Sequence, residues 1–390
     1  MLFAILLIII FAGLYIIFCV PSSEYNFLGR IKLQLKSGFE QFLNLLPPSI
    51  QNILVSSYNY LVYKPNPSVQ IFYVLLVVSL YLLYYFYGIK KFCPHKTISY
   101  NYIYILYTIL FLSVYSFYLC SVSNPGIIKS DNISHLKKKY PYDFLFNSEE
   151  KFCKKCNFEK INRSKHCIIC DKCIEKFDHH CIWVNNCIGA KNLKYFYYFI
   201  FIHWVLVSYA SILSGAFFYF EIEEKKLFEQ IFFDVNTKQQ YQATYITIFR
   251  YLLYKNYFFM ATSLMLIFMS FFLFFFLYYQ FKLLLQNYTS NEKNRQERRI
   301  KYIKLIKDSL EQIAKKKNII LQEIKLNNKE IKKYREIAFN KPDTDLEKLD
   351  EKQVNEFHNF TKECIFSFNI NPYRKNTFLI NMLNKIINNI

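Results

Sequence analysis

The chain has 390 residues, 53% of them hydrophobic and 20% aromatic, with a formal net charge of +20. Apolar runs as long as a bilayer is thick exclude a wholly water-soluble protein. Lysine and arginine collect between and after those runs, as the basic flanks of spans do, which argues against nucleic acid and leaves the lipid bilayer as the first partner.

Residues 1–20 (MLFAILLIIIFAGLYIIFCV) begin apolar directly after Met1, with no basic region and no distinct small-residue cleavage site. They read as an uncleaved transmembrane anchor rather than a signal peptide. Residues 21–68 form a cytosolic or interfacial segment, in which 39–63 are amphipathic, broken by Pro47-Pro48 and too polar to span; they predict an interfacial helix. Runs at 69–87 and 102–122 predict a transmembrane hairpin over 69–122. A polar, basic block follows over 123–192, opened by Asn124-Pro125-Gly126. Two further aromatic runs, 195–220 and 257–285, predict a second hairpin over 193–285. The tail, 286–390, is basic again.

Five spans result, and the bias of positive charge towards the cytosol orients them. The block 123–192 carries 13 Lys/Arg and the tail after Gln286 carries 22, so both are placed in the cytosol. Lys90, Lys91 and Lys96 disagree, because this scheme leaves them on the other side. In the tail, Ile303, Ile306, Leu310, Ile313, Ile320, Ile324, Ile331 and Tyr334 recur at mostly three-four spacing, interrupted by Lys317 and Asn327. The pattern predicts a long amphipathic helix over 300–338, which either lies on anionic lipid or forms a short coiled coil in a homo-oligomer.

The chemistry is concentrated between Cys153 and Cys187, CKKCNFEKINRSKHCIICDKCIEKFDHHCIWVNNC, which holds seven of the 11 cysteines and three of the 7 histidines. In a reducing compartment such spacing binds zinc rather than forming disulfides. Two four-ligand sites can be drawn: Cys153, Cys156, His166 and Cys173, and Cys167, Cys170, His180 and Cys187. Cys181 and His179 are left over. With Asp178 accepting from its second nitrogen, His179 could serve as base to a Cys181 nucleophile; alternatively the three residues decorate a zinc ribbon and Cys181 is a substitute ligand. Lys191-Asn192 lead almost directly into the next span, which sets Cys181 near the cytosolic membrane surface. A long-chain acyl-CoA, with its tail in lipid and its thioester at the boundary, suits that depth. Lys151, Lys154, Lys155, Lys165, Lys172 and Lys176 suit its phosphates.

The pattern C-x2-C-x9-HC-x2-C-x2-C-x4-DHHC-x5-C resembles the cysteine-rich domain of the DHHC protein S-palmitoyltransferases, as does Ile182-Trp183-Val184-Asn185-Asn186-Cys187-Ile188-Gly189 after it. Asn124-Pro125-Gly126 is similar to the family's Asp-Pro-Gly, and Thr289-Ser290-Asn291-Glu292 to its Thr-Thr-x-Glu. Asn371-Pro372-Tyr373 with Asn381 is a weak match to its Asn-Pro-Tyr…Asn element. The core resemblance covers roughly 67–292.

This resemblance implies a multi-pass α-helical membrane protein: a four-helix core, an extra N-terminal span and a small cytosolic cysteine-rich domain holding two structural zinc ions. It implies a ping-pong transfer of palmitate from palmitoyl-CoA through acyl-Cys181 to cysteines of membrane-associated proteins. His179 would act as base, Asp178 would orient it and Ser290 would support Asp178. The acyl chain would lie between the spans, along Trp183, Phe199 and Leu206. The extra N-terminal span is similar to that of an endoplasmic reticulum branch, with the Golgi as the other location. A catalytically silent zinc scaffold is the rival reading; the block is too short for the interleaved ligands of a RING-type ubiquitin ligase.

Overall fold

The computed structural model describes residues 44–64, 66–93, 99–141, 152–233, 240–324 and 349–369, with scattered positions in 34–41 and 326–346. The expected anchor at 1–20, Lys151, and the Asn371-Pro372-Tyr373 element with Asn381 lie outside the described residues. Four described helices are long and apolar enough to cross a membrane: Ser68–Phe92, Tyr100–Val122, Leu193–Glu224 and Tyr257–Leu285. The first three extend the predicted runs by one to five residues at an end, and the fourth coincides with its run.

Helix α1, Pro48–Tyr63, begins at the proline pair, because a ring that lacks N–H is tolerated in a first turn. Its side chains are mostly exposed, in keeping with an interfacial segment. Helix α2, Ser68–Tyr84, continues through one π turn, Tyr85–Ile89, to Phe92. Helix α3, Tyr100–Val122, is capped by Ser99, whose hydroxyl accepts from the Asn101 amide. Short helix α4, Ile133–Lys139, precedes six short strands in the cysteine-rich block: β1 Phe152–Cys153, β2 Phe158–Glu159, β3 Lys165–Cys167, β4 Lys172–Ile174, β5 His179–Cys181 and β6 Asn186–Ile188. They pair as three two-stranded sheets. Helix α5, Leu193–Glu224, leads to an antiparallel hairpin of β7, Ile231–Phe233, and β8, Gln240–Gln242. Helix α6, Tyr245–Lys255, runs into α7, Tyr257–Leu285. The described tail has α8, Ser290–Lys316, and α9, Glu351–Asn369.

Two compact units divide the chain: one comprises Met1–Pro125, Cys167–Cys170 and His180–Gln280, the other Gly126–His166, Asp171–His179 and Phe281–Ile390. The first contains the described spans as far as Gln280. Its core includes Tyr84, Ile103, Leu106, Leu213, Phe217 and Phe259. Tyr84 adds a hydrogen bond of 3.0 Å from its hydroxyl to the Ala210 carbonyl. Gly88 is required at the π turn, since a Cβ there would strike the Phe259 ring. Large side chains left bare on the spans, such as Phe111 at 69% exposure, have lipid as their solvent.

The second unit corrects the tail. The helix expected over 300–338 begins earlier and stops at Lys316. Asn318 takes a left-handed φ of 53°, and the Ile319 amide reaches back to the Ala314 carbonyl at 2.9 Å, an end that asparagine tolerates. Residues 319–324 then run without helix. Ile303, Ile306, Leu310 and Ile313 are buried with Val354, Phe357 and Phe360 of α9. The stripe from Ile303 to Ile313 is therefore a core within the chain, not an open seam for a second copy. Burial of this face against α9, and of the Gln322 backbone by Asn355 and Asn359, supplies what a partner helix would have supplied.

Candidate functional site

Each Cys-x2-Cys pair sits on a tight turn followed by a residue in the left-handed region, Asn157 at φ 56° and Asp171 at φ 51°. Asn and Asp reach that conformation at low cost, which turns both sulfurs to one side. Zinc with sulfur at about 2.3 Å and nitrogen at about 2.0 Å spaces its ligands about 3.5 Å (S to N) to about 3.8 Å (S to S) apart around a tetrahedron. In the second unit, the sulfurs of Cys153, Cys156 and Cys173 lie 3.6, 3.3 and 3.8 Å from His166 Nδ1. In the first unit, those of Cys167, Cys170 and Cys187 lie 3.8, 3.4 and 3.6 Å from His180 Nδ1. Within each set all four ligand atoms are within 4.8 Å of one another.

Both sets fit a tetrahedral thiolate-imidazole metal site, with the partition predicted by spacing. His166 Nε2 lies 3.2 Å from Asp171 Oδ1, the carboxylate contact that orients a ligating imidazole. Metal analysis of the purified chain is expected to give two zinc ions, falling towards one in Cys173→Ser and in Cys187→Ser. Unchanged zinc in either variant would rule out that set.

The carboxylate at Asp178 is built from the second unit alone. Asp178 is 4% exposed. Its Oδ2 receives His179 Nδ1 at 2.7 Å and Ser290 Oγ at 3.1 Å, and its Oδ1 receives the Ser290 amide at 2.5 Å. Ser290 opens α8, so a helix N-terminus, with its unpaired amides and positive end, is aimed at the carboxylate. Burial raises the Asp178 pKa, but the His179 contact and the two Ser290 donors outweigh it and hold the carboxyl below its ordinary value.

What fixes that helix end was not visible in the sequence. Arg163 and Glu292 are each 5% exposed at the side chain and form a forked pair, Nε to Oε1 at 2.6 Å and Nη2 to Oε2 at 2.7 Å. Arg163 Nη2 also donates to the Asn287 carbonyl at 2.7 Å. Glu292 Oε2 accepts the Thr289 amide at 2.9 Å while Thr289 Oγ1 accepts from the Glu292 amide, a complete capping box. Asn287 itself, at φ 56°, ends α7. The one cue was that Arg163 is the single arginine among the lysines of 123–192. Only a guanidinium offers a fork that matches a carboxylate.

Cys181 belongs to the first unit and is 7% exposed. It packs with Cys120, Val184, Ile188, Phe196 and Ile200, with Trp183 and Phe199 against the same cluster. The Tyr73 ring lies 6.2 Å from Trp183 and 6.5 Å from Phe199, centroid to centroid. Asn186 ties the loop after Cys181 to α3 through the carbonyls of Cys120 and Ser123, at 3.1 and 2.8 Å. Leu206 lies elsewhere, packed on the cluster of Tyr84, Leu213 and Phe217 further along α5. Strand β5 carries His179 and Cys181 two residues apart, a spacing that points alternate side chains to one face.

Spans flanking a domain of two Cys/His metal sets, with one cysteine outside both, define a multi-pass helical membrane protein with a zinc-type domain. Residues 146–297 match the family model described as DHHC palmitoyltransferase. Palmitoyltransferase swf1 of Schizosaccharomyces pombe is 34% identical over 186 residues, 46% of this chain and 51% of that protein. Palmitoyltransferase ZDHHC4 of Bos taurus is 30% identical over 216 residues, 55% of this chain and 61% of that protein. Palmitoyltransferase SWF1 of Saccharomyces cerevisiae is 44% identical over 80 residues, 20% of this chain and 24% of its own. Over residues 146–297 the chain is similar to the DHHC palmitoyltransferases. It spans about half to three fifths of the length of the first two of these relatives.

Proposed function

We propose that this chain is a protein S-acyltransferase, moving a long-chain acyl group from acyl-CoA through a thioester on Cys181 to cysteine thiols of membrane-associated proteins. The observation that carries the reading is that each four-ligand set is complete without Cys181. Its sulfur is left out of both sets, two positions along the chain from His179, whose Nδ1 is tied to a buried carboxylate.

Asp178 fixes the His179 tautomer, so that Nε2 exchanges the proton with the Cys181 thiol. The thiolate attacks the acyl-CoA carbonyl, the bond from carbonyl carbon to CoA sulfur breaks, and CoA leaves with the proton from the imidazolium. The thiolate of a substrate cysteine then attacks acyl-Cys181 and releases it. Zinc held in the two sets cross-links the short strands and, with four protein ligands each, offers no open position to substrate. Trp183 and Phe199 give the acyl chain an apolar approach; the packing of Leu206 places it in a different cluster. The basic domain and tail face the cytosol of the endoplasmic reticulum or Golgi. Association of two copies through the tail would have to use a surface other than the buried stripe on α8.

The test is covalent. Purified protein incubated with alkyne-tagged palmitoyl-CoA should acquire one label that neutral hydroxylamine removes, with matching release of CoA. A wild-type chain that carries its metal but takes no label would defeat the proposal. Ser290 is a positioning residue in this scheme. Ser290→Ala keeps the amide donor to Asp178 but loses the hydroxyl, and should lower kcat about tenfold, the worth of one hydrogen bond to a charged group. KM for acyl-CoA should hold and Ser290→Thr should restore the rate; a KM effect with unchanged kcat would contradict the role.

A further inference from the structure

Three lysines gather around one carboxylate where the ends of α2 and α5 meet the junction of α6 and α7. Glu221, in the last turn of α5, is 4% exposed. Its Oε1 pairs with Lys225 and, at 3.4 Å, with Lys255. Its Oε2 accepts from Asn256 Nδ2 at 2.8 Å, and Asn256 Oδ1 accepts in turn from Lys91 at the end of the first described span. One buried carboxylate thus serves three lysines, two directly and the third through Asn256. A clamp between helices needs no such surplus, since one cation balances one carboxylate. Lys225 and Lys255 keep 34% and 36% of their side chains exposed, and although Lys255 also donates to the Tyr251 hydroxyl at 3.0 Å, each ammonium has three donors to share. The cluster also accounts for Lys91, which the charge rule leaves on the wrong side of the membrane.

The depth of this cluster follows from the chain. Only Asn256 separates α6 from the span α7, so Lys255 and Glu221 lie at the level where hydrocarbon gives way to headgroups. Helix α6 turns Ile248 and Leu252 inward against Leu227 and Met260. Its outer face carries Tyr245, Ile246 and Phe249, at 83%, 66% and 47% exposure. An aromatic face continuous with a span end suits the interfacial layer of a bilayer. We infer that Lys91, Lys225 and Lys255 hold the phosphate of an anionic phospholipid in the leaflet opposite the cysteine-rich domain, with its acyl chains along the outer face of α6.

The test is native mass spectrometry of the full metal-loaded chain, released from micelles containing equal phosphatidylserine and phosphatidylcholine. The wild type should retain one phosphatidylserine in preference to phosphatidylcholine. Each lysine near an anionic lipid contributes roughly a factor of five, so Lys225→Gln with Lys255→Gln should weaken retention about 25-fold, while Lys225→Arg with Lys255→Arg should keep it. Inorganic phosphate should raise the melting temperature of the wild type less than phosphatidylserine does. Equal retention of the two lipids by the wild type overturns the inference whatever the variants do. So does undiminished retention in the glutamine pair, or stabilisation by inorganic phosphate equal to that by phosphatidylserine.

Discussion

Cys181→Ser is expected to reduce covalent acyl labelling by more than about 1,000-fold, on the scale of removing the nucleophile from a residue unit. It should leave two zinc ions bound. The exchange replaces one sulfur by oxygen in a side chain of the cluster that includes Cys120 and Val184, so the fold has little to resist. The chemistry changes much more: a hydroxyl beside the same imidazole yields almost no anion at neutral pH, whereas a thiol with its lower pKa does. Hydroxylamine-labile label on the purified variant, read beside its metal content, checks both halves at once. Label that persists with zinc intact would move the acyl group to another cysteine and end the case for Cys181. Loss of zinc along with the label would make position 181 a ligand.

Arg163→Ala should be the most destabilising single change in the second unit. It strips the forked partner from a carboxylate that is 5% exposed, and an uncompensated buried charge costs about 3–5 kcal/mol. Glu292→Ala should cost about the same from the other side. Heating the protein with a zinc-sensitive dye should reveal early release of metal in both. The double replacement Arg163→Met with Glu292→Leu should regain most of the melting temperature, because an apolar pair of similar bulk removes both charges. Acylation should stay low in that double variant. The fork also holds the Asn287 carbonyl and the capping box that aims Ser290 at Asp178. Single variants as stable as the wild type would show that the pair contributes little.

Much of this architecture was legible because its signals are local. The metal sets follow from spacing within thirty-five residues, and each knuckle needs only one left-handed residue after its second cysteine. The spans follow from hydropathy, although polar ends such as Glu221 and Lys225 hid the last turn of α5. Non-local pairings stayed hidden. Arg163 and Glu292 are 129 positions apart, and neither type or spacing connects them. The resemblance set Leu206 along one acyl-chain path with Trp183 and Phe199, whereas its side chain packs with the cluster around Phe217. Heptad counting carried the tail helix past Lys316 because periodicity cannot register that Asn318 takes a positive φ. Nor could it register that α9 would cover the stripe. The segment between α5 and α7 had read only as a gap between spans, with no sign of the β7–β8 hairpin or α6.

Helix α8 begins at the residue that holds Asp178 and ends beyond the core it shares with α9. Twenty-seven residues at 1.5 Å each make a rod of about 40 Å. A load on its far half is carried along the rod to the Thr289–Glu292 box, which holds the Ser290 donors in place. One continuous helix thus joins the core shared with α9 to the hydrogen bonds that hold the Asp178 carboxylate.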